Sequence, residues 1–281
     1  MSFFAQLDAA AARNHSRLCV GLDPEPSRLG GRGVAAYLRA VIAATSDLVC
    51  CYKPNLAFFE ALGIEGLTAL QETLRAIPEG IPVLCDAKRG DIGSTAEAYA
   101  RAVFEVWHFD AVTVNAYGGA DTVGPFLSYA DKGVFIWCRS SNPGAGDFQD
   151  LPVSDGAGGS RPLYEVVAER ARAWNRLGNV GLVAGATYPE QIARLRALCP
   201  ELPLLVPGVG AQGAALDAAA RAAQFADGRG FLINASRGVL YAATGDGFAA
   251  AARDEARRLR DAINDALGAA VNPGEPRPVA R

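Results

Sequence analysis

The sequence predicts a single-domain α/β protein with the (β/α)8 TIM-barrel fold, and three observations support this prediction. Eight short apolar runs alternate with longer helical stretches along the chain. The runs are apolar at consecutive positions, which is typical of parallel strands that are covered on both faces. The length of 281 residues is close to the roughly 250 residues typical of this fold. An open doubly wound sheet is the competing architecture, and the count of eight strands favours closure.

The predicted strands are rich in Val, Leu, Ile and Cys and span residues 18–23, 48–54, 82–88, 111–115, 133–139, 180–185, 204–208 and 230–235. The predicted helices place apolar residues three and four positions apart and span residues 34–45, 64–77, 95–108, 163–177, 189–198, 211–223 and 248–267.

Two segments lack these patterns. Residues 141–162 are rich in Gly, Pro, Asp and Ser, and so long a segment inside a compact domain indicates a functional lid or local disorder. Residues 271–281 form a Pro-rich tail that we expect to be disordered. The sequence therefore predicts one catalytic barrel domain over residues 1–270, followed by this tail.

Composition excludes several classes of function. The formal net charge of −3 provides no basic excess for a nucleic-acid partner. No apolar run is long enough for a transmembrane helix, and an acid follows the N-terminus too closely for a secretory signal, so we expect a cytoplasmic protein. The six cysteines form no C-x-x-C pair and only two histidines are present, so we expect buried free thiols and no metal site.

Polar residues follow the predicted strands, and this pattern predicts the position of the active site. Active sites of α/β barrels lie at the carboxyl ends of the strands. Two lysines and several carboxylates therefore converge on one rim. The polar residues and glycine at these ends are Asp23, Lys53, Asn55, Asp86, Lys88, Asn115, Ser140, Ser141, Gly208, Ser236 and Arg237.

The densest cluster of charges follows the third predicted strand. Asp86 and Lys88 are two positions apart, so on a strand their side chains share one face. With Asp91 they form an array of alternating charge whose members would keep one another ionised. A solvated turn after an edge strand is the alternative interpretation. The buried-strand pattern of residues 81–85 favours a pocket.

This cluster resembles a known family signature. The segment Asp86-Ala87-Lys88-Arg89-Gly90-Asp91-Ile92 is similar to the D-x-K-x-x-D-I signature of the orotidine monophosphate decarboxylase superfamily. Four further segments match this family in the same order, and the resemblance spans residues 18 to 240. A long loop at residues 140–144 resembles the larger bacterial subfamily. The four segments are Gly21-Leu22-Asp23, Tyr52-Lys53-Pro54-Asn55, Pro207-Gly208-Val209-Gly210-Ala211-Gln212 and Ser236-Arg237-Gly238.

The resemblance implies decarboxylation of orotidine 5'-phosphate to UMP and CO2, the last step of UMP synthesis. Lys88 would donate the proton to C6 of the pyrimidine, Asp86 would lie against the departing carboxylate, and Lys53 would complete the charge network. Loss of CO2 leaves a lone pair in the ring plane, where a fixed ammonium can stabilise it and then protonate it. The reaction would therefore need no cofactor.

The resemblance also implies contacts with the substrate and with a second copy of the chain. In a homodimer, Asp91, Ile92 and Thr95 would reach into the partner's site, with Asp91 counted among the catalytic residues. The expected substrate contacts are Asp23 and Lys53 at the ribose hydroxyls, Ser141 or alternatively Ser140 at the pyrimidine amide edge, Gln212 and Arg237 at the 5'-phosphate, and Asn55 and Pro207 elsewhere in the site.

Two alternatives remain open. Sugar-phosphate enzymes of the same superfamily share the D-x-K-x-x-D core but use Mg2+, and they place an acid where this chain has Lys53. A lysine there repels a divalent cation, which disfavours that alternative. The second alternative is a nucleotide-binding barrel without catalysis, which the intact array of Asp86, Lys88 and Asp91 disfavours. Taken singly, Asp23 before Pro24 and the glycine pattern after residue 207 are also consistent with ordinary turns.

Overall fold

The predicted barrel is confirmed. The computed structural model describes residues 1–154, 156, 158–208 and 213–268. Eight parallel strands follow the order β2-β1-β10-β9-β8-β5-β4-β3, and a separate antiparallel hairpin pairs β6 with β7. The strands are β1 (Leu18–Leu22), β2 (Cys51–Pro54), β3 (Leu84–Arg89), β4 (Ala111–Val114), β5 (Gly133–Arg139), β6 (Pro152–Ser154), β7 (Ser160–Pro162), β8 (Val180–Ala184), β9 (Leu204–Pro207) and β10 (Phe231–Ala235).

The barrel closes between β2 and β3 through two isolated parallel bridges. One bridge joins Tyr52 to Val83, and the other joins Asn55 to Asp86. Elsewhere in the barrel, neighbouring strands pair through ladders of two or more consecutive residue pairs. β1, β8 and β10 are buried at all five of their positions, as expected of strands that are covered on both faces. The seam between β2 and β3 is therefore joined by isolated bridges rather than by a continuous ladder.

Helices surround the barrel and connect its strands. They are α1 (Phe3–Arg13), α2 (Val34–Thr45), α3 (Leu56–Glu60), α4 (Gly63–Arg75), α5 (Gly93–Arg101), α6 (Ala120–Leu127), α7 (Leu163–Trp174), α8 (Pro189–Leu198), α9 (Gly213–Ala223), α10 (Arg237–Leu240) and α11 (Phe248–Ala266). A helix was expected over residues 95–108, but α5 ends at Arg101 and is followed by a π-helical turn over Ala102–Val106. The expected tail over residues 271–281 lies outside the described residues.

α1 covers the amino-terminal end of the barrel. Ser2 begins this helix, and its hydroxyl accepts a hydrogen bond from Ala5 N at 3.4 Å. Phe3 and Leu7 are buried, and Phe3 packs edge to face on Phe135 of β5 with ring centroids 6.0 Å apart. The predicted helices did not include α1, although its apolar residues recur at helical spacing. Apolar packing thus closes one end of the barrel.

Two further differences from the expected elements have local causes. α6 was not predicted, because the segment that forms it contains Gly124 and Pro125, which are poor helix formers. Residues 141–162, which lack helical and strand patterns in the sequence, contain short regular elements. A 3-10 turn over Pro143–Asp147 is followed by the β6–β7 hairpin. Each hairpin strand has three residues, which is too short for an alternating pattern to be visible in the sequence.

The expected state of the cysteines is confirmed, since all six are free and buried. The thiols of Cys19, Cys50 and Cys51 lie in one apolar cluster with residues of α1. Burial raises the pKa of Cys199 to about 11. Among the described residues, no helix combines the length and the apolar character that crossing a bilayer requires.

Gly90 follows β3 where the chain passes close to the end of β4, and the space there excludes a side chain. A Cβ atom at Gly90 would lie 2.4 Å from the backbone oxygen of Asn115. A Cβ atom at Gly124 in α6 would meet no atom within 4 Å apart from its chain neighbours and the nearby backbone of its own helix. We expect Gly90→Ala to lower the free energy of unfolding by about 1–3 kcal/mol. The control Gly124→Ala should raise it by about 0.5–1 kcal/mol, since alanine favours helices. Urea unfolding measures both, and equal stabilities would contradict the steric argument.

Candidate active site

The carboxyl ends of the strands bring together the charged residues that the sequence singled out. Asp23 follows β1, Lys53 lies in β2, and Asp86 and Lys88 lie in β3. Lys53 is only 3% exposed and Asp86 only 8%, although both are charged side chains. Ionised groups are buried at this level when they are paired, so the arrangement requires a compensating network.

Asp86 is the centre of that network. Lys53 Nζ donates to Asp86 Oδ2 at 2.9 Å, and Lys88 Nζ donates to Asp86 Oδ1 at 2.6 Å. Thr113 of β4 donates its hydroxyl to Oδ1 at 2.9 Å. The two carboxylate oxygens thus contact a buried ammonium on one side and a partly exposed ammonium on the other. This geometry presents Lys88 Nζ to the space above the barrel.

The electrostatics of the network keep these groups ionised. Burial raises the pKa of Asp86, but Lys53 and Lys88 lower it by more, so its pKa lies well below the ordinary range. Burial lowers the pKa of Lys53, but Asp86 and then Asp23 raise it by more. Asp86 is therefore a carboxylate, and Lys53 an ammonium, across the neutral pH range.

Two cavities adjoin the network on the same rim. A cavity of about 240 Å3 contains the charged groups, and a second of about 490 Å3 lies where β1, β9 and β10 end. Ser141 lines the first and Gly208 the second, and a Cβ atom at Gly208 would lie 3.0 Å from Ser141 Oγ. The first cavity is lined by Lys53, Asp86, Lys88, Thr113, Trp137, Ser140, Ser141, Asn142, Val183, Leu205 and Pro207. The second is lined by Asp23, Phe58, Gly208, Asn234, Ala235, Ser236, Arg237, Gly238, Glu255 and Leu259.

The loop after β5 is held in place by Gln149. Its side-chain oxygen accepts from Ser140 N at 2.8 Å and from Arg139 Nη1 at 3.2 Å, and its amide nitrogen donates to Ser140 Oγ at 2.9 Å. Ser140 Oγ also donates to Asn142 Oδ1 at 2.7 Å. Within the described part of the chain, no hydrogen bond engages the Ser141 hydroxyl. The Ser141 hydroxyl is therefore the freer of the two to bind a ligand in the cavity.

Asp23 and Asn55 meet at the ends of β1 and β2. The backbone N–H of Asn55 donates to Asp23 Oδ1 at 3.2 Å. The Asn55 side-chain oxygen accepts from Ala57 N at 3.1 Å and so caps α3. Asp23 lines the second cavity, whereas Asn55 supports the strand ends.

Three expected site residues lie apart from this network. Ile92 is 62% exposed and Thr95 is exposed. Asp91 is partly exposed, and its Oδ1 accepts from Ile92 N at 2.8 Å. Among the described residues, those that line the cavity around Lys88 do not include Asp91, Ile92 or Thr95.

Of the residues expected at the phosphate, Arg237 is exposed at the start of α10 and lines the second cavity. Gln212, the other residue expected at the phosphate, lies outside the described residues.

Pro207, which was expected elsewhere in the site, lies at the end of β9 and lines the first cavity. In the described ranges, no group of three or more His, Cys, Asp or Glu side chains has a metal-binding arrangement.

Sequence reasoning missed Thr113, Trp137 and Gln149 as members of the site. Thr113 lies in a buried apolar strand, where a hydroxyl needs a hydrogen-bond partner, and that was the available signal. Trp137 of β5 has its ring centroid 5.9 Å from Lys88 Nζ, but in the sequence it resembles an ordinary apolar strand residue. Gln149 gave no signal, because its role depends on how the loop folds back.

Comparisons with known proteins were consistent with one family. The sequence model of the orotidine 5'-phosphate decarboxylase / HUMPS family matches residues 16–253. The orotidine 5'-phosphate decarboxylase of Roseiflexus castenholzii is 55% identical over 276 residues, which cover 96% of this chain and 100% of that protein. The protein of the same name from Thermomicrobium roseum is 52% identical over 270 residues, which cover 94% and 95% of the two chains.

A solved structure shows the same fold. The OMP decarboxylase of Leishmania donovani superposes with a TM-score of 0.85 and is 46% identical in sequence. The superposition covers 96% of this chain and 100% of the other.

Lys53 lowers the pKa of Asp86, so its removal should raise that pKa. We expect Lys53→Met to raise the pKa of Asp86 and Lys132→Met, whose ammonium lies near Asp110, to leave it unchanged. Carbon-13 NMR of the aspartate carboxyl carbons between about pH 2 and pH 7 measures the shift.

The same change has a consequence for stability. In the wild type, the folded pKa of Asp86 lies below its unfolded value of about 3.9. The stability that its ionisation contributes is therefore present above that value and is lost as the pH falls toward the folded pKa. Lys53→Met should reduce this acid-dependent loss. An unchanged pKa of Asp86 in Lys53→Met would contradict the assigned network.

Proposed function

We propose a function for this chain from one premise: the chain belongs to the orotidine 5'-phosphate decarboxylase / HUMPS family. It converts orotidine 5'-phosphate to UMP and CO2, the last step of UMP synthesis, without a cofactor. The observation that supports this most directly is the Lys53–Asp86–Lys88 network, which directs one ammonium into a cavity at the carboxyl end of the barrel.

Lys88 is the proton donor in this proposal. The bond between C6 and the carboxylate breaks, its electron pair stays on C6 in the plane of the ring, and neutral CO2 leaves. The ring π system cannot delocalise that pair, so a fixed cation beside C6 is the means of stabilising it. The Lys88 ammonium then transfers its proton to C6. The 2.6 Å contact with Asp86 fixes the ammonium before the substrate binds.

Asp86 and Lys53 act together with Lys88. The Asp86 carboxylate lies against the departing carboxylate, and their repulsion is relieved when CO2 leaves as a neutral molecule. Lys53 holds Asp86 ionised through the contact to Oδ2. Lys53 and Asp23 also bind the ribose hydroxyls, with Asn55 beside Asp23. Ser141 binds the amide edge of the pyrimidine, since Ser140 is engaged by Gln149 and Asn142. Pro207 forms part of the wall.

The 5'-phosphate binds on the side of the second cavity. Arg237 is exposed there and supplies a guanidinium, which binds phosphate in a two-pronged geometry. Gln212 is the other proposed phosphate contact. Binding energy from this remote group orders the substrate and the loops around the reacting carbon.

The active unit in this proposal is a homodimer. Asp91, Ile92 and Thr95 form part of the partner's site rather than of their own, which fits their separation from the cavity around Lys88. The exposed apolar side chain of Ile92 is consistent with a residue that is covered by a second copy of the chain. The six buried free thiols are consistent with a reducing compartment, and we place the enzyme in the cytoplasm.

Lys53 also bears on the metal-dependent alternative. In the Mg2+-dependent members of the superfamily an acid stands at this position, and here an ammonium occupies Asp86 Oδ2. Two ammonium groups around one carboxylate leave no site of sufficient negative charge for a divalent cation. We therefore propose a metal-independent reaction.

Replacing Lys88 should abolish turnover. We expect Lys88→Ala to lower kcat by at least about 1000-fold, because both the proton donor and the stabilising cation are lost. Lys132→Ala, a lysine variant remote from the site, should retain wild-type activity. The loss of orotidine 5'-phosphate absorbance measures turnover, and calorimetric binding of UMP shows that the site is still formed.

EDTA should leave the wild-type rate unchanged. Loss of activity in EDTA and its return with Mg2+ would instead favour the metal-dependent alternative.

Mixing two inactive variants tests the proposed dimer. In a heterodimer of Lys88→Ala and Asp91→Ala, one site carries both defects and the other carries neither. Random reassociation should therefore restore about one quarter of the wild-type activity. Each variant alone should remain inactive. If the mixture stays as inactive as its components, Asp91 acts within its own subunit.

A further inference from the structure

We propose that Thr113 is a positioning residue for the decarboxylation, whose hydroxyl fixes both the Asp86 carboxylate and the backbone that carries Lys88. The reaction named here rests on the proposed function, whereas the contacts themselves do not. Thr113 lies in the middle of β4 and is 1% exposed. Its position in the chain, 25 residues from Lys88, gives no indication of this contact.

The first observation is a bulge in β3 opposite Thr113. Cys85 pairs with Val112, and Arg89 pairs with Val114, so three residues of β3 face one residue of β4. Those three residues are Asp86, Ala87 and Lys88. A bulge leaves backbone groups without their partners in the ladder, and re-aims the side chains it carries. The charged pair of the site is thus displaced from regular strand geometry.

The second observation is that the Thr113 hydroxyl replaces the missing backbone partners. Thr113 Oγ1 accepts hydrogen bonds from Ala87 N and Lys88 N, each at 3.0 Å. It donates its own proton to Asp86 Oδ1 at 2.9 Å. A hydroxyl has one donor and two acceptor lone pairs, so all three capacities are used. The hydroxyl therefore has no donor or acceptor capacity left for a hydrogen bond to another part of the structure.

The third observation is the backbone conformation of Lys88. Its φ is 46°, in the left-handed region that residues other than glycine adopt rarely. Such conformations persist only where surrounding contacts determine them. The hydrogen bond from Lys88 N to Thr113 is one such contact. This backbone conformation directs the side chain so that Nζ meets Asp86 Oδ1 and lies over the Trp137 ring.

Thr113 and Lys88 therefore bind the same oxygen of Asp86, while Lys53 binds the other. If the hydroxyl were removed, Oδ1 would lose one of its two donors, and the N–H groups of Ala87 and Lys88 would lose their acceptor. The carboxylate and the ammonium would then be free to rotate away from the direction of C6. A displacement of about 1 Å in a catalytic group costs on the order of 100-fold in rate.

The test compares variants at this one position. Thr113→Val preserves shape without the hydroxyl, and Thr113→Ser preserves the hydroxyl. We expect Thr113→Val to lower kcat by about 10- to 100-fold, while KM for orotidine 5'-phosphate changes by less than about 3-fold. Thr113→Ser should retain kcat within about 3-fold of the wild type. Thr113→Ala, which introduces no new atoms, gives the same comparison if the valine variant fails to fold.

A pH profile separates positioning from a structural role. The groups that face Asp86 are Lys53 on β2 and Lys88 on β3, with Asp23 after β1 acting through Lys53, and the thiols of Cys19 and Cys85 nearby. The Thr113 hydroxyl bond favours the ionised carboxylate, so its loss raises the pKa of Asp86. The acidic limb of the kcat profile should therefore move to higher pH in Thr113→Val and stay in place in Thr113→Ser.

Thr73→Val is the matched control. Thr73 is also fully buried, and its hydroxyl donates to Ala69 O at 2.7 Å in α4, away from the site. It should lose stability without a change in kcat or in the acidic limb. A Thr113→Val enzyme with wild-type kcat and an unshifted acidic limb would overturn the inference.

The two proposals fail in different ways. If the wild type does not convert orotidine 5'-phosphate, the proposed function fails, and the role of Thr113 is then decided by carbon-13 NMR of Asp86. A raised pKa of Asp86 in Thr113→Val and an unchanged pKa in Thr113→Ser would still support the positioning of the carboxylate. Equal pKa values in all three proteins would overturn it.

Discussion

The rest of this structure depends on one carboxylate that is buried between two ammonium groups. Asp86 can be ionised inside the barrel only because Lys53 and Lys88 lie on either side of it. Both lysines reach it from the strands that meet at the β2–β3 seam, where regular pairing consists of two bridges. One of those bridges joins Asn55 to Asp86 itself. The ionic contact across the seam therefore reinforces barrel closure at the point where the site is built.

Because the same charged residues join the two strands and form the site, they restrict which substitutions the site tolerates. Apolar residues of similar volume often replace a buried ionic network without loss of stability, so stability alone does not explain these charges. The removal of a single member is a different matter, because it leaves an uncompensated charge in the interior. Asp86 with its two lysines is thus best understood as a unit. Thr113 belongs to that unit, because its hydroxyl contacts both the carboxylate and the backbone of Lys88.

The sequence predicted the parts of this arrangement that have a regular pattern. Eight apolar runs gave the eight barrel strands, and the polar residues at their ends gave Lys53, Asp86 and Lys88. It could not predict α6, because Gly124 and Pro125 obscure its pattern, or the three-residue strands of the β6–β7 hairpin. Thr113 and Gln149 were missed for a related reason. Their importance comes from side-chain hydrogen bonds that form only once the chain has folded, from Thr113 to a residue 27 positions away and from Ser140, nine positions away, to Gln149.

In the proposed function, the first cavity at the carboxyl ends of the strands carries the reacting groups, and the second cavity binds the remote phosphate. The charged network lines the first cavity and is carried by β2, β3 and β4 of the barrel. Arg237 lies in the second cavity, on a short helix after β10, and is exposed. Ser141 and Gly208 approach each other at the junction between the two. In the proposed function, a phosphate bound near Arg237 would be held by groups that line the second cavity and not by the Asp86 network. Its binding energy can order the ligand without disturbing the ion pairs that fix Lys88.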